Sequence, residues 1–161
     1  NPLEEFSFTQ KRRGTFAHHC LACLQTAGQL TGHPEEDARQ AFKQGLRTFP
    51  LPIREPEAVE REIVEMLAWY AALPETEEWL RYGTPEQEII DESGELYRSD
   101  LVVDDGKRIT VVEYKTGVPT PAHEIQLQRY MRLIAKAAPR PVQGVLVYLD
   151  LKRLDYKQLQ V

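Results

Sequence analysis

Cysteine is nearly missing from this chain of 161 residues: there are two, Cys20 and Cys23. Three apart in a helical pattern, they argue against a disulfide framework and fit a reducing, cytoplasmic setting. No apolar run approaches the ~20 residues that a membrane-spanning helix needs. No stretch has the parts of a signal peptide, so no membrane association is expected. Internal repeats and low-complexity segments are absent. An excess of positive charge is lacking too. The formal net charge is −5, which does not announce nucleic acid, although a metal site concentrates carboxylates and a local basic patch can still bind. What is present is an ordinary globular composition, 42% hydrophobic and 28% charged, in a chain long enough for one domain with a real core. It starts Asn1-Pro2 rather than with methionine. The expectation is therefore a single domain over 1–161 cut from something longer, with the polar, unpatterned residues 1–12 as a linker from upstream.

From Gly14 the pattern turns helical, with Phe16, Cys20, Cys23 or Leu24, and Ala27 at three- and four-residue steps and Gly28 and Gly32 as the stop. Pro34 and the acids after it open a second helix, running to about Gly45. Residues 57–73 form a third, with Val59, Ile63, Met66, Leu67 and Tyr70 on one stripe. Pro74 and Glu75 are read as its end, followed by a short turn or helix at Trp79-Leu80. Residues 85–90 and 95–103 read as strands around an Asp-Glu-Ser-Gly turn. Ala122 to Ala137 is a helix whose apolar side is Ile125, Leu127, Tyr130, Met131, Leu133 and Ile134. Val142 to Leu149 is a last strand, apolar on both faces and so central, and the polar tail has room for one more short element.

The organising stretch is Tyr97 to Lys115. Leu101-Val102-Val103 and the β-branched run from Ile109 to Val112 are two strands, and Asp104-Asp105-Gly106-Lys107 is the tight turn between them. If the strands before and after the Ala122–Ala137 helix are parallel, that step is a right-handed crossover. The fold class expected is α/β: a small mixed sheet flanked by helices.

Asp100 stands where the first of these strands begins, and Glu113 and Lys115 share a face of the second. Charged groups leaving a run that looks buried are costly without partners. Two carboxylates on neighbouring strand ends can share Mg²⁺ or Mn²⁺. A lysine beside them can orient a water or offset charge on a phosphate, which is the chemistry of phosphodiester hydrolysis. The bland alternative is a solvated edge strand, since any charged hairpin produces Asp…Glu-x-Lys. His18, in Arg13-Gly14-Thr15-Phe16-Ala17-His18, is a third ligand or a packed histidine; of His18 and His19, one should lean inward and the other outward. Glu88 is a further acidic group or a surface carboxylate, with Glu86 an equally placed competitor. Gln126 and Tyr130 share a helix face near the site. Tyr130 either contacts a nucleotide or is a core aromatic with a wet hydroxyl. His123 is placed to touch the same pocket.

Taken in order, Gly14-x-x-x-His18, Asp100, Glu113-x-Lys115 and Gln126-x-x-x-Tyr130 resemble the nuclease domain of the RecB-like branch of the PD-(D/E)xK superfamily, over residues 14 to about 149. The resemblance implies a restriction-endonuclease-like core and a divalent-metal DNA nuclease, usually an exonuclease domain fused behind a helicase in bacterial double-strand-break processing. The upstream helicase, and in some systems a second helicase-nuclease subunit, are the partners it implies. It carries over His18, Asp100 and Glu113 as metal ligands, Lys115 as the catalytic lysine, Gln126 and Tyr130 as the motif after it, and Glu88 less securely. Arg98-Ser99 depart from the glycine or proline that often precedes the aspartate. Some relatives carry a four-cysteine iron–sulfur cluster; with two cysteines none is expected here. Lys11, Arg12, Arg13, Arg129 and Arg132 are candidates for phosphate contacts. The rival functions are an inactive DNA-binding module of the same fold, a domain that touches protein only, and a CRISPR-associated nuclease.

Overall fold

The computed structural model describes residues 2–160, with side chains from Gln10 to Gln160. Five helices and five strands lie among the described residues, in two compact units, one up to Leu80 and one from Arg81.

The first unit is helical: α1 (Pro2–Ala27), α2 (Pro34–Thr48), α3 (Pro56–Ala71) and most of α4 (Pro74–Tyr82). Proline opens α2 and α3 at a position whose N–H would have no helical partner, and acids follow it in the first turn, where the helix dipole favours them. Pro74 does the same for α4. The sequence reading took this proline as the end of α3, but it is the start of a nine-residue helix. The α1 helix begins at Pro2, well before the expected start at Gly14, and it leaves through Gly28 at φ 69°. Phe16, Leu21, Phe42, Ile63, Leu67 and Tyr70 are fully buried, and the Phe16 and Phe42 rings meet edge to face at 5.7 Å. Close approach of α1 and α2 needs Gly45, because a Cβ there would lie 2.6 Å from Cys20 Sγ. Burial, and secondarily Cys23, pushes the Cys20 thiol up to about 12, so it packs as a small apolar group.

The second unit is a mixed five-stranded sheet with its strands in chain order: β1 (Gly83–Ile90), β2 (Leu96–Asp104), β3 (Ile109–Lys115), β4 (Val142–Tyr148) and β5 (Arg153–Gln158). All neighbours are antiparallel except β3 and β4, which are parallel and joined through α5 (Pro121–Ala137). The β2–β3 connection is a four-residue loop, Asp105–Arg108, one residue later and looser than the tight turn expected over Asp104–Lys107. Asp105 Oδ1 accepts the Lys107 and Arg108 N–H groups at 2.8 Å each, and Gly106 takes φ 87°.

One face of the sheet is packed by α5. Ile109, Val111, Leu127, Met131, Val142 and Leu146 form its buried core. At Gly144 the helix comes so close that a Cβ would meet Met131 Sδ at 2.6 Å and Leu127 Cδ2 at 2.8 Å. Ile125 does not join this core: it is 67% exposed. It lies two residues before Leu127, about 200° around the helix, out of phase with the Leu127, Tyr130, Met131 and Ile134 stripe. The tail's expected short element is β5.

Candidate active site

The β2–β3 ladder pairs Asp104 with Ile109 through to Leu101 with Val112. One step further, Asp100 would face Glu113, and there side chains take over from the backbone. Glu113 Oε1 accepts the Asp100 N–H at 3.2 Å and the Ser99 hydroxyl at 2.9 Å. Asp100 Oδ2 in turn accepts the Tyr114 N–H at 2.9 Å. Ser99 and Glu113 are buried and Asp100 is half-buried. Burial first, and then the neighbouring Asp100 carboxylate, hold the Glu113 carboxyl far above the usual range; the Ser99 bond and the Lys115 charge oppose this without cancelling it. Two acidic groups thus crowd one buried spot where they cannot both ionise cheaply.

Lys115 ends β3, its backbone carbonyl fixed by the Leu149 N–H at 2.9 Å. Its Nζ donates to Gln126 Oε1 at 2.6 Å, and Gln126 Nε2 donates to the Tyr130 hydroxyl at 3.2 Å. The ammonium can bond only to the amide oxygen, so this contact fixes which way the Gln126 amide points. Gln126 and Tyr130 are one turn apart on α5, so the relay depends on that helix docking in one register against β3. Burial, then the Glu113 charge, raise the Tyr130 phenol. His123 Nδ1 lies 3.1 Å from the Tyr148 hydroxyl and 3.4 Å from the Thr120 N–H. Burial, then the Lys115 charge, lower its basicity, which favours the neutral ring.

The structure therefore brings Asp100, Glu113, Lys115, Gln126 and Tyr130 together in the second unit. Tyr130 is the core aromatic that the sequence allowed, and its hydroxyl also ends the lysine relay, a role the sequence did not suggest. Glu88 stands opposite Arg98 on β1, exposed and 3.6 Å from its guanidinium. Arg129 and Arg132 are exposed on α5. In the first unit, Lys11 and Arg12 are exposed on α1 and Arg13 is ion-paired with Glu62 at 2.5 Å. His18 and His19 sit in mid-helix and both are half-buried, not one in and one out. His18 Nδ1 lies 2.8 Å from the Gly14 carbonyl. A carbonyl only accepts, so Nδ1 carries the proton and Nε2 of the neutral ring is the lone-pair nitrogen.

Two contributors were not visible in the sequence. Ser99, read there only as a departure from glycine or proline, bonds the Glu113 carboxylate. Asp150, after β4, accepts the Gly117 N–H at 2.6 Å and holds the loop that follows Lys115. A serine directly before the aspartate was the one available signal.

The sequence matches the PD-(D/E)XK nuclease superfamily over residues 2–160. The chain belongs to this superfamily. The mixed sheet with its helices is the restriction-endonuclease-like fold that membership implies. Asp100, Glu113 and Lys115 follow one another in the order of the letters in that name, with Ser99 before the aspartate. The solved structure of SSO0001 is similar at 18% identity, over 78% of this chain and 78% of that one, with a TM-score of 0.33. No curated protein matches.

PD-(D/E)XK nucleases generally use divalent cations such as Mg²⁺. Among the described residues no group of three or more His, Cys, Asp and Glu is preassembled for a metal. The donor set nevertheless fits one: two hard carboxylates at the Asp100–Glu113 crossing, where burial and the neighbouring Asp100 charge penalise an uncompensated negative charge on Glu113. No helix among the described residues is long and apolar enough to cross a membrane.

Proposed function

We propose that this chain is a divalent-metal-dependent DNA nuclease whose active residues are Asp100, Glu113 and Lys115, with Gln126 and Tyr130 in support. The observation that carries the reading is the juxtaposition at the β2–β3 crossing. A crowded carboxylate pair adjoins a lysine whose ammonium is held by a neutral amide, not neutralised by an acid.

Asp100 and Glu113 would hold the Mg²⁺ or Mn²⁺, and the Gly14-x-x-x-His18 motif makes His18 the candidate third ligand. The cation supplies Lewis acidity toward the phosphate when bound. Ser99 and the Asp100 N–H keep the Glu113 carboxylate aimed. Lys115 orients the attacking water and offsets charge building on the phosphate oxygens. Gln126 fixes the ammonium without quenching it, and Tyr130 fixes Gln126.

The ordered set from Gly14-x-x-x-His18 to Gln126-x-x-x-Tyr130 further supports the exonuclease domain of a bacterial, cytoplasmic ATP-dependent helicase-nuclease acting in double-strand-break repair and recombination. An upstream helicase in the same chain, and in some assemblies a second helicase-nuclease subunit, would feed it DNA.

The test is digestion of labelled single- and double-stranded DNA with Mn²⁺ or Mg²⁺ by wild type and Lys115→Ala. Cleavage by wild type and a fall of about 10²–10³-fold in the variant, with DNA binding kept, is the expected result. Equal inactivity of both with retained binding would mean an inactive DNA-binding module.

A further inference from the structure

Beside α5 runs a groove of about 430 Å³, lined by Tyr97, His123, Ile125, Gln126, Arg129 and Tyr130. The Arg129 guanidinium lies over the Tyr97 ring, 4.5 Å from its centroid. It is exposed and makes no ion pair among the described residues. The ring beneath it is fixed: its hydroxyl donates to Glu95 at 2.9 Å, with an Asp91 carboxylate oxygen 3.4 Å away, and the Tyr130 ring meets it edge-on at 6.1 Å. Ile125, one turn before Arg129, leaves a large apolar side chain 67% exposed at the same groove. Gln126 and Tyr130 belong both to this groove and to the Lys115 relay.

A cationic plane preorganised on an aromatic ring, beside exposed apolar surface, suits a flat π-system attached to an anion. Charge orders the groove along its length. The Asp91 and Glu95 carboxylates stand at the Tyr97 hydroxyl and repel phosphate there, while Lys115, whose Nζ lies 2.6 Å from Gln126 in the groove's wall, attracts it. A nucleobase on Arg129, with its phosphate toward Lys115, satisfies both. A base inside a duplex cannot offer its face this way, because its neighbours already stack on it.

We infer that the Tyr97–Arg129–Ile125 groove is a stacking subsite for one unpaired base of the substrate strand, next to the phosphate at Lys115. The inference rests on the nuclease reading and makes single strands the preferred substrate.

Binding is measured by fluorescence anisotropy in EDTA, where cleavage is blocked. The probes are a labelled oligothymidylate of about 12 nucleotides, an abasic strand of the same length, and a duplex. Wild type should bind the oligothymidylate roughly ten-fold or more tighter than the abasic strand, and tighter than the duplex. Arg129→Lys keeps the charge but loses the plane. It should retain abasic-strand affinity and lose the discrimination, as should Tyr97→Leu, whereas Tyr97→Phe should keep it. Equal affinity for base-bearing and abasic strands, preference for the duplex, no binding to any probe, or discrimination surviving in Arg129→Lys each overturns the subsite. Cleavage of the same oligothymidylate with Mn²⁺ separates the two readings. Discrimination without cleavage would sink the nuclease and leave the subsite; cleavage without discrimination would do the reverse.

Discussion

Glu113 is the residue most at odds with its surroundings. Folding holds its carboxyl at about 8 against an ordinary value of 4.5, through burial and the Asp100 charge. Between those values the folded protein keeps a proton that the unfolded chain gives up. Metal-free stability is therefore greatest at low pH on this account, falls as pH rises from about 4.5 to about 8, and levels off above. Thermal melts in EDTA should show a Tm that drops by several degrees across that window. Glu113→Gln should flatten the drop and raise Tm at pH 8, and Mg²⁺ should lift the wild-type Tm more at pH 8 than at pH 6. Ser99 acts in the other direction, since its hydroxyl favours the charged carboxylate. Ser99→Ala should cost about 1–3 kcal/mol. It should also raise the Mn²⁺ concentration for half-maximal cleavage by roughly ten-fold or more, as loss of a group that aims a ligand does. A serine that only filled space would leave the metal titration unmoved. Sequence reading found the acids and the lysine because charge at the end of a β-branched run is visible in one dimension. It passed over Ser99 because hydroxyls are common on strands and nothing local tells which one faces a carboxylate.

At the scale of elements, the site is held together by how α5 lies on β3 and β4. Gly144 permits that closeness. Gly144→Val should press branched carbons into Leu127 and Met131, cost about 1–3 kcal/mol, and reduce cleavage by moving Gln126 away from Lys115. Calorimetry and the nuclease assay on the same preparation check both halves. The strands and the later helices were legible because their apolar spacing has a single phase, and because Asp-Gly and Ser-Gly mark the two hairpins. The misreadings have physical causes. Gly14 reads as a boundary because glycine costs about 1 kcal/mol inside a helix, yet it lies within α1, and its carbonyl receives the His18 ring proton. Pro74 reads equally well as a stop or a start, and only the acids behind it at Glu75 and Glu77 favour a start. The four-residue Asp105–Arg108 loop was hidden because Asp105 can cap two N–H groups itself and so removes the need for a tight turn.

For the whole molecule, a net charge of −5 means that DNA must be held by a few local cations against a repelling background. On the proposed reading Lys115, Arg129 and Arg132 are those cations in the second unit. Single-strand affinity should fall with salt along a log–log slope of about −1.4, as the two phosphate contacts of Lys115 and Arg132 give, Arg129 being taken up by a base. Arg132→Gln should make that slope shallower by roughly 0.7 while leaving base discrimination intact, measured by anisotropy across a salt series. The order His18, Asp100, Glu113, Lys115 was readable from one end of the chain to the other. The division into two compact units was not, because the break at Leu80–Arg81 falls inside a helix, and the Gly83 and Pro85 just beyond it lead straight into a strand.

The amide of Tyr114 is bonded to the Asp100 carboxylate where a regular sheet would give it a neighbouring strand's carbonyl. An ion that draws electron density from that carboxylate weakens its grip on the proton. The resonance of this one amide, and its rate of exchange with solvent, would therefore report occupancy of the proposed centre without any DNA present.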